Sequence, residues 1–156
     1  MRAVDFINRN DFAVGAIDVE EIVLEMTLED DLELVNFPTV TEPDYVRDYK
    51  VMQLYMGQRP VMIFGRFDRQ HFEILRDFLE DRKMSFDTID FSGGAPSMGG
   101  GSHPYRVAGS GRAYINVDTK QFNIPEGCST FYPKANPRHS AIFERRMLRD
   151  GWTKIR

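Results

Sequence analysis

The alternation of apolar and polar positions predicts a β-hairpin near the middle of the chain. Residues 49–56 form a mixed apolar run, residues 60–64 form a mostly apolar one, and Gly57-Gln58 stands between them. Two strand-like runs joined by a short glycine turn are typical of a β-hairpin. Shorter runs predict further strands at residues 32–35, 85–91, 112–117, 121–124 and 152–155.

Apolar positions three and four residues apart predict a helix after this hairpin. Asp68 is a suitable N-cap, because its carboxylate can accept a hydrogen bond from the first turn, and the helix is predicted to run to about Lys83. The apolar stripe of this helix consists of His71, Ile74, Leu75, Phe78 and Leu79. With this cap, His71 is the third helical residue.

Capping residues predict a second helix close to the C-terminus. Asn136 is an N-cap candidate, Pro137 suits the first helical position, and Gly151 stands just past the end. Two helices packed on a mixed β-sheet are the simplest assembly of these elements. Residues 32–156 are therefore predicted to form an α+β domain.

The first 31 residues are predicted to form an acidic extension with a helical arm. Asp18 and Glu21 form a capping box before apolar residues at helical spacing. Residues 1–48 carry three Lys/Arg against 13 Asp/Glu, a net charge of −10, whereas residues 49–156 carry 17 against 11, a net charge of +6. A basic body suits an anionic ligand such as a phosphate. The acidic N-terminal part could pack beside this body, mimic its ligand or bind a basic protein partner. Two solvated faces without a functional meaning would give the same counts.

The composition is that of an ordinary globular protein from a reducing compartment. With 156 residues and 42% hydrophobic content, the chain can bury a core without crosslinks. Its single cysteine, Cys128, allows no internal disulfide, so a cytoplasmic location is expected. No apolar run reaches the roughly 20 residues of a membrane span, and the scattered arginines do not predict nucleic-acid binding.

A glycine-rich stretch at residues 92–111 does not match a nucleotide-binding motif. It holds most of the chain's 12 glycines. No Gly-Lys-Ser/Thr follows it, and no helix begins directly after it, as a phosphate loop requires. The stretch is predicted to be a flexible loop or a place where the backbone approaches a ligand.

Histidine is the residue type best suited to acid–base chemistry in this chain. His71, His103 and His139 share no metal-ligand spacing, so neither a metal nor another cofactor is predicted. In the first turn of a helix His71 would be neutral near pH 7, because the positive end of the helix dipole disfavours imidazolium. It could serve as a general base beside a bound phosphate, or it could be a histidine at the edge of the core. A Cys128–His139 pair is a weaker nucleophilic alternative.

Several short motifs follow one another in a distinctive order along residues 32–156. In chain order they are Leu32-Glu33-Leu34-Val35, Pro38-Thr39-Val40, Tyr49-Lys50-Val51, Ile63 to His71, Gly109-Ser110-Gly111-Arg112, Lys120-Gln121-Phe122, Gly127 to Tyr132 and His139-Ser140-Ala141. Their order resembles that of the Janus-type phosphohistidine phosphatases, which are small α+β proteins that remove phosphate from protein histidine. The resemblance implies that the Gly-x-Gly-Arg motif is a turn before a hairpin.

The resemblance also implies a site and its chemistry. His71 would be the general base that activates water for attack on a phosphoramidate, and Lys50 would bind the phosphoryl oxygens. Backbone N–H groups and a hydroxyl would cradle these oxygens at Ser129, Thr130 and Phe131. The implied substrate is a phosphorylated protein or a small phosphoramidate, and no cofactor is implied.

The chain differs from the family pattern in this loop and in two added segments. The loop holds Pro133, Lys134 and Pro137 and is longer than the family's loop. Residues 92–108 look like an insertion, and residues 1–31 look like an added arm. These differences leave a second hypothesis, a non-catalytic binding or assembly protein on the same fold. Such a protein would use the acidic arm and the glycine-rich loop to bind a partner chain.

Overall fold

The computed structural model describes residues 28–89, 94–127 and 132–155. The predicted N-terminal helix and the loop residues Ser129, Thr130 and Phe131 lie outside the described residues. In these ranges the chain forms eight β-strands, two α-helices and one short 3-10 helix (Asp44–Val46). None of the helices found there is long and apolar enough to cross a membrane.

Six of the strands form one mixed sheet, which is the centre of an α+β fold. They are β1 (Glu33–Val35), β2 (Asp48–Met56), β3 (Arg59–Gly65), β6 (Tyr105–Asn116), β7 (Gln121–Phe122) and β8 (Thr153–Lys154). Their order across the sheet is β1–β3–β2–β6–β7–β8. The two outer pairings are parallel, and the three inner ones are antiparallel. The remaining strands, β4 (Thr88–Ile89) and β5 (Ala95–Pro96), form a separate antiparallel pair.

The predicted hairpin is confirmed as the pair β2–β3. The two strands pair in register from Met56 opposite Arg59, next to the turn, to Lys50 opposite Gly65. Gly57 in the turn has a φ of +63°. Glycine adopts this left-handed conformation at little cost, which is why the turn can stay short. The strands predicted at residues 32–35, 121–124 and 152–155 are present in shorter form as β1, β7 and β8.

Two strand predictions are wrong in their limits. In the described part of residues 85–91, the strand covers only the two residues of β4. Strand β6 begins at Tyr105 rather than at residue 112, because it pairs with β2 along the full length of that strand. Gly109-Ser110-Gly111-Arg112 therefore lies in an extended strand and not in a turn. The last residues of the expected insertion likewise belong to the sheet.

The helix that carries His71 begins later than the sequence indicates. Helix α1 spans His71–Asp81 and its N-cap is Gln70, so Asp68 is not the cap and His71 is the first helical residue rather than the third. The reason is a capping box in which Gln70 N donates to Glu73 Oε1 at 2.9 Å. The Asp68 carboxylate instead accepts from Arg66 Nε at 3.3 Å.

The second helix is confirmed with the predicted caps. Helix α2 spans Pro137–Arg149. The Asn136 side chain accepts from the backbone N–H groups of Arg138 at 3.0 Å and of His139 at 3.1 Å. Gly151, just past the helix, has a φ of +90°. These contacts satisfy backbone groups that the helix leaves without a partner at its ends.

Removing this N-cap should lower the free energy of unfolding. We expect Asn136→Ala to cost about 1 kcal/mol, because two backbone N–H groups lose their acceptor. Urea denaturation of the purified protein measures this cost. Asn136→Asp keeps an acceptor at the same place and should retain most of the stability. An equal loss in both variants would contradict the capping role.

Alternation along β2 divides the core into two clusters, one on each face of the sheet. Met52 packs in a cluster with Ile74 of α1, whereas its neighbour Val51 packs with Phe143 of α2. Successive residues of a strand point to opposite faces, so the two helices cover opposite faces of the sheet. Lys50, two residues before Met52, therefore lies on the face that α1 covers.

The end of the acidic extension lies against α2. Asp30 forms an ion pair with Arg149. Arg146 Nη1 donates to the backbone oxygens of Glu29 at 3.2 Å and Leu32 at 3.0 Å. For these residues, the basic partner of the acidic segment is a helix of the same chain.

Candidate functional site

The start of α1 places His71 against strand β6. The residue is 8% exposed, and its Nε2 lies 2.9 Å from Gly111 O. Because a carbonyl oxygen can only accept, Nε2 carries the proton and donates it, which leaves the lone pair of a neutral ring on Nδ1. Nδ1 has no hydrogen-bond partner among the described residues. The ring is thus held at one nitrogen and can accept a proton at the other.

Several physical causes favour the neutral form of His71. Burial lowers the pKa of the imidazole below its ordinary value, and the positive charges of Lys50 and Arg112 lower it further. The hydrogen bond to Gly111 O raises the pKa but does not outweigh these effects. The sequence predicts the same neutral state from the helix dipole, whereas burial is the largest cause in the folded protein.

Two cations lie on the same face of the sheet as α1. Lys50 of β2 is directly opposite Arg112 of β6 and, on its other side, opposite Gly65 of β3. Side chains of directly opposite residues lie on one face with their Cβ atoms about 5 Å apart. Among the described residues, neither cation forms an ion pair with a carboxylate. Both charges are therefore available to an anion.

Arg112 is the site residue that the sequence did not identify. The motif that contains it suggests only a turn, and its place beside Lys50 depends on the register of β6 against β2. Register between strands that are distant in sequence is set by the whole sheet and not by a local pattern. The one available signal was the position of Arg112 at the end of the Gly-x-Gly-Arg motif.

The predicted phosphate loop is fastened to β6 on both sides of residues 128–131. Before them, Glu126 and Arg112 exchange two backbone hydrogen bonds, at 2.8 and 3.1 Å. After them, Pro133 O accepts from Ser110 N at 2.9 Å and from Ser110 Oγ at 3.0 Å. The described ends of the loop therefore lie beside the residues that meet His71 and Lys50. The predicted ligand residues of the loop itself lie outside the described residues.

Close backbone contacts explain two of the glycines in the glycine-rich stretch. A Cβ on Gly109 would lie 2.6 Å from Lys134 O, and a Cβ on Gly111 would lie 2.5 Å from Glu126 O. Side chains at these positions would push the loop away from the strand. These two glycines therefore allow two backbone segments to pack closely together. They do not lie in a flexible loop, although their sequence context suggests one.

A buried polar cluster fixes the end of this loop to the start of α2. Gln53 of β2 is fully buried; its Nε2 donates to Ser140 Oγ at 2.8 Å, and its Oε1 accepts from Asn136 N at 2.6 Å. A buried polar group that loses its partner costs about 1–3 kcal/mol. The cluster therefore fixes the C-terminal end of the loop, at Asn136, to the sheet.

The other two histidines make their contacts elsewhere in the fold. His139 is fully buried, with Nε2 at 3.2 Å from Leu54 O and 3.1 Å from Val61 O. Nε2 of His103 lies 2.9 Å from Asp87 Oδ2. No group of three or more His, Cys, Asp or Glu side chains in the described ranges is placed to hold a metal ion. Cys128, the nucleophile of the alternative pair with His139, lies outside the described residues.

The described part of the site can attract an anion and accept a proton beside it. Lys50 and Arg112 supply two positive charges, and His71 supplies a neutral imidazole with an available Nδ1. This combination suits general-base attack on a phosphoryl group, whose transition state is stabilised by positioned positive charge.

No protein-family model, no curated protein and no solved structure matched the chain.

Proposed function

We propose that this protein is a hydrolase with the Janus-type phosphohistidine phosphatase fold, and that it removes phosphate from phosphohistidine in a protein. The observation that carries the proposal is the position of His71. Its Nε2 is tied to Gly111 O, one residue from Arg112, and it lies under the sheet face that presents Lys50. The order of motifs along the chain supports the same assignment.

The proposed reaction transfers the phosphoryl group to water. Nδ1 of His71 accepts a proton from a water molecule while the water oxygen forms a bond to phosphorus and the P–N bond breaks. The substrate imidazole leaves as a neutral ring when its other nitrogen is protonated. Because the P–N bond is labile, orientation and neutralisation of the phosphoryl charge supply much of the rate acceleration.

Lys50 and Arg112 hold the phosphoryl oxygens in this proposal. The guanidinium can offer two parallel N–H donors, and the ammonium acts as a compact point charge. Their positive charges also keep His71 neutral, since they disfavour imidazolium. The same two side chains therefore bind the anion and favour the neutral form of the base His71. The backbone of the loop at Ser129, Thr130 and Phe131 would complete the cradle.

Removal of either cation tests the phosphate-binding role. We expect Lys50→Met and Arg112→Gln each to raise KM for a phosphohistidine peptide by about tenfold, the value of one charge-assisted hydrogen bond. The measurement is the release of inorganic phosphate from the peptide by purified protein.

Arg106 supplies the matched control on the same strand. It is exposed and its guanidinium lies 4.9 Å from the centre of the Tyr55 ring, so it does not belong to the proposed site. Arg106→Gln should leave KM unchanged. A wild-type protein that releases no phosphate from the peptide would refute the proposed function. KM values of Lys50→Met and Arg112→Gln that equal those of Arg106→Gln and the wild type would refute the role of the two cations.

A further inference from the structure

A cavity of about 580 Å³ opens beside the proposed site, between α1 and the ends of β1 and β3. Its apolar lining consists of Val35, Tyr49, Phe64, Ile74 and Phe78. The rest of the lining is mostly charged and is contributed largely by α1 and by the loop that precedes it. An apolar floor of this size can enclose a large aliphatic or aromatic side chain.

The arginines around the cavity are already neutralised by carboxylates. The ion pairs are Arg69–Asp77, Arg66–Asp68 and Arg82–Glu33. A charged ligand group would have to displace one of these partners, whereas an apolar group reaches the floor without breaking any of them. The balance of charge therefore favours an apolar occupant.

The cavity lies next to the proposed site. Gly65 lines the cavity and is directly opposite Lys50 in the sheet. Ile74 lines the cavity one helical turn after His71. An extended peptide advances about 3.3 Å per residue and turns alternate side chains to the same side. A peptide with its phosphohistidine at His71 can therefore direct a side chain about two residues away into the cavity.

We propose that this cavity binds an apolar side chain of the substrate, two residues from the phosphohistidine, and so selects which phosphorylated proteins are hydrolysed. The inference rests on the proposed function and adds the class of substrate to it. The protein is then a phosphatase of polypeptides, with a preference for a large apolar residue such as leucine near the phosphohistidine.

Two phosphohistidine peptides test this preference. The first has Leu at the second position before and at the second position after the phosphohistidine, and the other has Asp at both of these positions. For wild-type protein we expect a kcat/KM about tenfold higher for the Leu peptide, from burial of the leucine side chain. Asp81→Trp places a large ring at the wall of the cavity without breaking any of the ion pairs named above, and the ratio of the two kcat/KM values should then fall to about one. Glu80→Trp puts the same ring on the exposed side of α1, away from the cavity lining, and should keep the tenfold ratio.

The outcomes separate this inference from the proposed function. Hydrolysis of both peptides at equal kcat/KM by the wild-type protein overturns the role of the cavity and leaves the proposed function standing. Hydrolysis of neither peptide overturns the proposed function. In that case, the methyl NMR signals of Val35 and Ile74 are followed while the unphosphorylated Leu peptide or the unphosphorylated Asp peptide is added at millimolar concentration. Shifts with the Leu peptide and none with the Asp peptide support the cavity as a site for an apolar side chain, whereas equal shifts with both peptides, or none with either, overturn it.

Discussion

Replacing His71 with Ala should abolish the release of phosphate from a phosphohistidine peptide, with kcat lowered about 10²- to 10⁴-fold, the usual contribution of a positioned general base. The variant lacks the Nδ1 that accepts the proton of the attacking water. It also leaves Gly111 O without its donor, which should lower the free energy of unfolding by about 1–3 kcal/mol.

A second variant separates catalysis from stability. The amide Nε2 of His71→Gln can still donate a hydrogen bond to Gly111 O, as the imidazole Nε2 does, but the amide cannot accept a proton at neutral pH. We therefore expect His71→Gln to lose activity like the alanine variant while it unfolds at a denaturant concentration closer to that of the wild type. His103→Ala, a histidine that contacts Asp87 instead, is the control and should retain activity. Wild-type rates in His71→Gln would show that His71 is a core histidine and not the base.

The pH profile gives an independent measure of the same base. Burial and two neighbouring cations lower the pKa of His71 below the ordinary value of 6.5. Since the neutral ring is the active form, kcat/KM should be flat around pH 7 and should fall only on acidification below pH 6.5. The variants Lys50→Met and Arg112→Gln remove a positive charge near the ring, so each should move this fall to higher pH.

Local signals in the sequence predicted the elements whose formation depends on neighbouring residues. The β2–β3 hairpin needs only two apolar runs and Gly57, and α2 needs only Asn136, Pro137 and Gly151 at its ends. The α+β class follows from these elements because a sheet and amphipathic helices must bury each other's apolar faces. These parts of the fold are specified within a few residues of chain.

Long-range pairing determined the parts that the sequence could not predict. The strand β6 extends back to Tyr105 because β2 offers partners along its length, although glycines disfavour a strand in isolation. The same pairing makes Arg112 the neighbour of Lys50. The N-cap of α1 is Gln70 and not the predicted Asp68, because two capping residues lie close together in the sequence and the side chain of Glu73 completes a capping box with Gln70. Only His71 and Lys50 of the described site were therefore identified before the fold was known.

The buried His139 should make the protein sensitive to acid. Burial lowers the pKa of its imidazole to about 4, from 6.5 when exposed. Between these values the unfolded chain binds a proton that the folded protein does not bind, so the stability falls as the pH falls from about 6.5 to about 4 and is fully present above that window. The expected loss is about 2 kcal/mol between pH 7 and pH 5, a large fraction of the stability of a small domain. Urea denaturation at a series of pH values measures it.

A matched pair of glutamine variants assigns this loss to one histidine. His139→Gln keeps an N–H donor for Leu54 O and Val61 O and carries no titrating group. We expect this variant to retain only the smaller part of the pH dependence, since His71 also has a lowered pKa and acts in the same direction. Val40→Gln, an exposed substitution that removes no titrating group, should keep the full wild-type slope. The same slope in His139→Gln and in the wild type would mean that the acid sensitivity arises elsewhere, because removal of the only fully buried imidazole among the described residues must remove its proton linkage.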